Sequence, residues 1–212
     1  MNSELLILGG SSTALEILEA VNAGYKGVFT NITFVIGDSE SPSVNFSTIT
    51  DSEVVNYVKD KNVNYIISFT NHKLRLKLVD AMENAGARPC NIIHPLALIS
   101  PTAKIGKGNY IAAGVKISVN SIIANHCIIN FNCIIGHDAI IENHVMINPG
   151  VSVSGNVYIA QNVFIGTNSI VFQGKKIGED VIIDAMTYIT RDIESNMICS
   201  SSRNLKVFRR IG

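Results

Sequence analysis

The chain has 212 residues, of which 47% are apolar and 16% charged, and its 17 Lys plus Arg balance 17 Asp plus Glu. A net charge of zero argues against capture of nucleic acid or of an anionic membrane by bulk electrostatics. Together with a mean hydropathy of +0.28, this apolar fraction excludes a disordered chain and asks for extensive burial. No apolar run reaches the ~18 residues of a membrane-spanning helix. The run Leu5–Leu8 is too short for a signal-peptide core and has no basic residue before it, so a cytoplasmic protein is expected. Cys90, Cys127, Cys133 and Cys199 show no metal-ligand spacing, which predicts reduced thiols and no bound metal.

In chain order, residues 1–95 read as alternating strands and helices. The apolar run Leu5–Leu8 leads into Gly9-Gly10-Ser11-Ser12. Ala14, Leu15, Ile17, Leu18 and Val21 then recur at helical spacing, with Gly24 able to end the helix. Thr33–Ile36 is a second strand ending at Gly37-Asp38. Asp51 is the expected N-cap of a helix through Lys59, and Tyr65–Phe69 is a third strand. Leu74, Leu76, Leu78, Val79 and Met82 predict a helix closing at Gly86. Asn91–Ile93 reads as a short fourth strand before His94-Pro95. This alternation predicts a small parallel α/β sheet, with its ligand site in the Gly9-Gly10, Asp38 and Asn71 loops at the carboxyl ends of the strands.

From Ile99 to Ile189 every sixth residue is Ile or Val, giving sixteen unbroken hexads over residues 99–194. Neither the helical period of 3.6 nor the strand period of 2 produces a strict six. Hexads signal a parallel β-helix, three to each triangular coil, so about five coils are expected. Four places after the Ile stand small or β-branched residues such as Ala103, Val115, Ser121, Cys127, Cys133 and Ala139, which should point inward. Three places after it, Gly, Asn or Asp fills twelve of the sixteen positions, the residue types that best tolerate a left-handed backbone at a turn. Five places after it, on one face, Tyr110, Ile128, Met146, Phe164 and Ile182 form an apolar outer stripe. Such a stripe should be covered by other subunits, most simply in a trimer.

Among polar candidates, His126 and His144 occupy the turn column 18 residues apart and should stack on adjacent coils as turn residues. His137 stands instead at the outward corner position, between Gly136 and Asp138. A neutral histidine hydrogen-bonded to a carboxylate is a general base suited to neutral pH; an ordinary surface histidine is the alternative reading of the pattern. His72 and His94 read as local structure. Leu8-Gly9-Gly10-Ser11-Ser12-Thr13-Ala14 is not GxGxxG, so no NAD site is read. A strand, a small-residue turn and a helix start can still hold a phosphate, or simply connect the two elements.

Together these residues resemble the bacterial nucleotide-aminosugar acetyltransferases of the PglD/NeuD type over nearly the whole chain. The resemblance rests on the α/β domain, the junction from Asn91 to Ala103, the hexads, and above all the stretch from Asn132 through His137-Asp138 to Pro149-Gly150. It implies a Rossmann-like nucleotide-sugar-binding domain over 1–95, a left-handed β-helix over 96–195 and a tail over 196–212. It further implies a homotrimer that uses acetyl-CoA to acetylate the amino group of a nucleotide-linked sugar. His137 would be the general base and Asp138 its orienting carboxylate. Acetyl-CoA would lie in a groove between β-helices, near Met146, Thr167, Ala185 and Lys206. The nucleotide-sugar would lie at Ser11, Ser12, Thr13, Gly37, Asp38 and Asn71. Three departures stand out: Met146 where the family commonly has a second histidine, Ser11-Ser12-Thr13 in place of a Gly-Gly-His type loop, and a tail without the family's glycine and proline around Lys206. Competing readings are an O-acetyltransferase of a sialic-acid-like sugar, a non-catalytic nucleotide-sugar-binding protein, and a trimeric zinc enzyme using His126, His137 and His144.

Overall fold

The computed structural model describes residues 3–38, 46–59 and 61–201. Its first part contains β1 (Ser3–Leu8), α1 (Ser12–Gly24), β2 (Phe29–Ile36), β3 (Thr48–Thr50), α2 (Val54–Val58), β4 (Val63–Ile67), α3 (His72–Asn84) and β5 (Arg88–Pro89). The five strands pair in parallel in the order β3-β2-β1-β4-β5. Leu5 to Leu8 form an unbroken apolar run because β1 is central and buried on both faces. Leu5 and Ile7 join α1, while Leu6 and Leu8 join α2 and α3. Helix α3 buries Arg75, Leu78, Val79 and Met82, the stripe that its helical spacing demands. Asn71 caps it by accepting from Leu74 N at 3.1 Å. Helix α2 begins later than expected: Glu53, not Asp51, is its N-cap residue, and its carboxylate reaches back to Thr50 N at 2.9 Å.

The second part is a left-handed parallel β-helix with three faces of two-residue strands. The first face carries Leu98–Ile99, Lys116–Ile117, Ile134–Ile135, Ser152–Val153, Ile170–Val171 and Tyr188–Ile189. The second runs from Lys104–Ile105 to Lys176–Ile177, and the third from Ile92–Ile93 to Ile198–Cys199. The hexad Ile and Val residues from Ile111 to Ile189 are all buried. Between them sit the small inward residues, and Cys127 and Cys133 are fully buried there. Burial pushes the Cys127 thiol up to about 12 and the Cys133 thiol up to about 11, which keeps both protonated and unreactive. Every turn-column residue from Gly108 to Met186 has φ between 56° and 74°. The preference for Gly, Asn and Asp at this column is thus a backbone requirement repeated at each corner.

Two expectations are corrected. Asn91–Ile93 does not extend the α/β sheet: Ile92–Ile93 pairs with Tyr110–Ile111 as the first rung of the third face, and Arg88–Pro89 takes the edge of the small sheet. Nor is the apolar stripe left for another subunit. Tyr110, Ile128 and Met146 are 1%, 1% and 8% exposed within this chain, packed in one core with Ala14, Ile17, Ala20 and Val21 of α1. The N-terminal domain lies over the third face, and only the distal end of the stripe, at Ile182, stays exposed.

The seam between the two parts is polar at one corner. His126 and His144 stack with ring centroids 5.2 Å apart, Tyr65 of β4 stacks on His126 at 6.0 Å, and His72 of α3 meets His144 edge-on at 6.1 Å. Arg75, 2% exposed, donates to the carbonyl of Phe69 at 2.9 Å and to the carbonyl of His126. Desolvation first, and then Arg75, push both His126 and His144 down to about 4. An unfolded histidine titrates near 6.5. Between these values the unfolded chain binds more protons than the folded one, so stability falls as pH drops from about 6.5 towards 4. Melting temperatures across that window are expected to decline with acid. The slope should be shallower in His126→Asn, which keeps the left-handed backbone but loses one titrating ring; an identical slope would remove the seam histidines as its cause.

Candidate active site

His137 and Asp138 occupy the corner between the first and second faces. The turn at Asp138, φ 57°, throws the two side chains outward together. His137 Nδ1 lies 2.8 Å from Asp138 Oδ2, and the side chains are 49% and 45% exposed. A carboxylate only accepts, so in the neutral ring this bond places the proton on Nδ1 and leaves the lone pair on Nε2. Asp138 also accepts from Asn120 Nδ2 at 3.1 Å. These bonds, from His137 first and Asn120 second, hold its carboxyl below the usual carboxylate range. On the side of the preceding face, an apolar groove of about 530 Å³ ends at His137 and is walled by Leu98, Pro101, Val119 and Ile134. The corner therefore offers an accessible, oriented imidazole lone pair beside apolar surface, as a general base needs.

A second cavity, about 550 Å³, opens at the carboxyl ends of β1, β2 and β4. This is where the strand order reverses, the ligand position of open α/β sheets. Gly9 makes the tight turn there with φ 115°, and a Cβ on it would lie 2.4 Å from Ser68 Oγ. Of the residues expected here, Ser11, Gly37 and Asn71 line the cavity. Ser12 and Thr13 form the start of α1 beside it. Asp38 is turned to Ser52, whose N–H it accepts at 3.1 Å. Gly9 and Gly10, whose loop the sequence placed at the ligand site, line it too, as do Asp51, Phe69, Thr70 and Leu74, which the sequence did not point to. The loops were readable from strand order, but which loop residues face inward follows from strand register.

The residues expected to hold the acyl donor are dispersed. Thr167 and Ala185 stack one coil apart, exposed at the corner between the third and first faces; a Cβ on Gly166 would lie 2.4 Å from Ala185 N. That corner is not the one bearing His137. Met146 is buried in the core that also holds the inner residues of α1, and Lys206 lies outside the described residues. His126 and His144 are at the remaining corner, so within one chain the three histidines of the zinc reading do not converge, and that reading needs ligands from different subunits. Among the described residues no group of three His, Cys, Asp or Glu side chains could hold a metal ion, and no helix is long and apolar enough to cross a membrane.

No protein-family model and no curated protein matches the chain. Solved structures do. The acetyltransferase domain of PglB from Neisseria gonorrhoeae, in complex with acetyl coenzyme A, is 27% identical, with a TM-score of 0.85 over 93% of this chain and 96% of that one. PerB from Caulobacter crescentus, in complex with CoA and GDP-perosamine, is 26% identical, with a TM-score of 0.84 over 92% of each chain. By that likeness the chain is a hexapeptide-repeat acyltransferase, similar to sugar acetyltransferases of the PglD/NeuD type. WeeI from Acinetobacter baumannii, 19% identical with a TM-score of 0.85 over 93% of this chain and 96% of that one, shares the fold of the acyltransferase. The likeness spans both parts of the acyltransferase, so the placement of the α/β layer on the third face belongs to the shared architecture.

Proposed function

We propose that this acyltransferase uses acetyl-CoA to acetylate the amino group of a nucleotide-linked amino sugar, with His137 as general base and Asp138 as its orienting partner. The observation that carries the reading is the 2.8 Å bond from His137 Nδ1 to Asp138 Oδ2. It presents Nε2, unprotonated, at an exposed corner. The sugar amine attacks the thioester carbonyl, the new C–N bond forms, and the amine proton passes to Nε2 as the C–S bond breaks and CoA thiolate leaves. The reaction needs no covalent enzyme intermediate and no metal.

The nucleotide would occupy the cavity at Ser11, Gly37 and Asn71, beside Ser12 and Thr13. The acyl donor would need both the His137 corner and the Thr167–Ala185 corner, which a whole face separates within one protomer. Two copies side by side can present one corner each, which supports a homotrimer with its active sites between subunits. The exposed apolar residues Leu98, Ile134, Ile170 and Tyr188 on the first face suit such contact. The burial of Met146 leaves Thr167, Ala185 and Lys206 as the donor contacts of this reading. A cytoplasmic location follows from the need for acetyl-CoA and a nucleotide-sugar together.

Thiol release from acetyl-CoA against UDP-, GDP- and dTDP-linked amino sugars tests this, with light scattering for the trimer. Turnover with an amino sugar, absent in His137→Ala, is the expected result. Turnover only with hydroxyl acceptors would replace the N-acetyltransferase by the O-acetyltransferase. Tight sugar binding without any transfer would make the chain a binding protein.

A further inference from the structure

We propose that Asn120 and Gly155, one coil before and one coil after the His137–Asp138 corner, are positioning residues for the His137 base. The inference rests on the reading of His137 as the proton acceptor.

Asp138 is exposed, and an exposed carboxylate rotates freely unless both oxygens are engaged. Here they are: Oδ2 accepts from His137 Nδ1 at 2.8 Å and Oδ1 accepts from Asn120 Nδ2 at 3.1 Å. Asn120 is itself fixed, with φ 58° and its backbone N–H donating to Thr102 Oγ1 at 3.0 Å. The turn alone does not call for this arrangement. At Asn132 and Asn168 the side-chain Oδ1 lies against Gly114 and Gly150 of the preceding coil, whereas the Asn120 amide reaches forward to the following one. Thr102, Asn120 and Asp138 thus form a polar ladder running down the corner, which ends on the imidazole and fixes which nitrogen carries the proton.

Gly155 acts from the other side. A Cβ built on it would lie 2.4 Å from His137 Nε2, 2.6 Å from Cε1 and 2.9 Å from Cδ2. The reactive edge of the ring therefore rests over a bare Cα. This glycine is not a backbone necessity, because the left-handed residue of that corner is its neighbour Asn156, φ 58°. The same hexad position elsewhere carries Asn143, Pro149 and Gln161. Only the space is required, and it is required by His137.

Asn120→Gly keeps the left-handed turn while removing the amide, and Asn120→Asp keeps the shape while removing the donor. Gly155→Ala adds one methyl against a ring that can swing out into solvent, so its melting temperature should stay near that of the wild type. The tautomer of neutral His137 is read by 15N NMR of the free protein, alongside kcat and KM. The wild type is expected to hold the proton on Nδ1 alone. Asn120→Gly and Asn120→Asp should give mixed tautomers, and Gly155→Ala a displaced ring resonance. Each variant should lose roughly 10- to 100-fold in kcat, the cost of an ångström-scale misplacement, with KM for both substrates unchanged. Wild-type tautomer and kcat in the Asn120 and Gly155 variants overturn the proposal, and so does an altered tautomer with kcat intact. If instead His137→Ala turns over like the wild type, the base reading falls. The tautomer measurement needs no substrate, so it still decides whether Asn120 orients the ring.

Discussion

His137→Ala is expected to lower kcat by about 10²- to 10⁴-fold, the contribution of a positioned general base, with the fold intact. The side chain is half exposed and, among the described residues, its ring bonds only to Asp138, so its removal leaves none of their buried groups unpaired. Melting temperature and oligomeric mass should therefore match the wild type, and KM for acetyl-CoA should change little, because the loss falls on proton transfer rather than on binding. Asp138→Asn should move in the same direction for a different reason. An amide can turn its NH2 towards Nδ1, which favours the tautomer with the proton on Nε2, and that nitrogen can then no longer accept the proton of the amine. A variant at 137 that retains more than about a tenth of wild-type kcat would be outside the range of base catalysis and would return the histidine to ordinary surface.

Arg75→Ala carries the largest expected effect on stability. The guanidinium is 2% exposed and joins the carbonyl of Phe69 in its own domain to the carbonyl of His126 in the β-helix. Hydrogen bonds to a charged donor contribute about 1.5–3 kcal/mol each, and truncation leaves the buried His126 carbonyl and the part-buried Phe69 carbonyl without it. Part of this is offset because the buried charge disappears as well. A net loss of about 2–4 kcal/mol is expected, read as a lower urea midpoint. Arg75→Met, which fills the same volume without the bonds, should fall between Ala and wild type. Phe69 also lines the cavity proposed for the nucleotide, so KM for the sugar acceptor should rise in Arg75→Ala more than KM for acetyl-CoA. A midpoint equal to the wild type would show that the seam is held by its apolar contacts alone.

The parts of the molecule that the sequence revealed and concealed differ by how often each constraint recurs. The β-helix was legible because the same demand recurs coil after coil, a buried Ile or Val from Ile111 to Ile189 and a left-handed turn from Gly108 to Met186, so no single exception obscures it. The His137–Asp138 pair was legible because it interrupts that repetition at a position whose direction the repeat defines. The burial of Tyr110, Ile128 and Met146 was not, because an outward apolar stripe looks the same whether another subunit or the chain's own α1 covers it. Arg75 was invisible for a related reason: on helix α3 it stands between Leu74 and Leu76, and only the position of His126 across the seam turns an ordinary helix arginine inward. Gly155 was likewise silent. In a column of corner residues a glycine reads as slack, and its meaning depends on a ring one coil away.

The parallel stacking of identical rungs gives the β-helix an unusual response to changes of length. Each coil takes 18 residues, as the pairing of Lys116 with Ile134 and of Ile134 with Ser152 shows. Loss of one whole coil beyond the His137 corner would shorten the prism by about 4.8 Å while leaving every remaining side chain on its own face. Loss of a single hexad would preserve the sequence rhythm yet rotate all that follows by a third of a turn. Tyr158 and Lys176 would then move to a different side of the molecule, and any surface that copies share would be dismantled. For this architecture the tolerated unit of insertion and deletion is the full turn, and the hexad, although it is the visible repeat, is not.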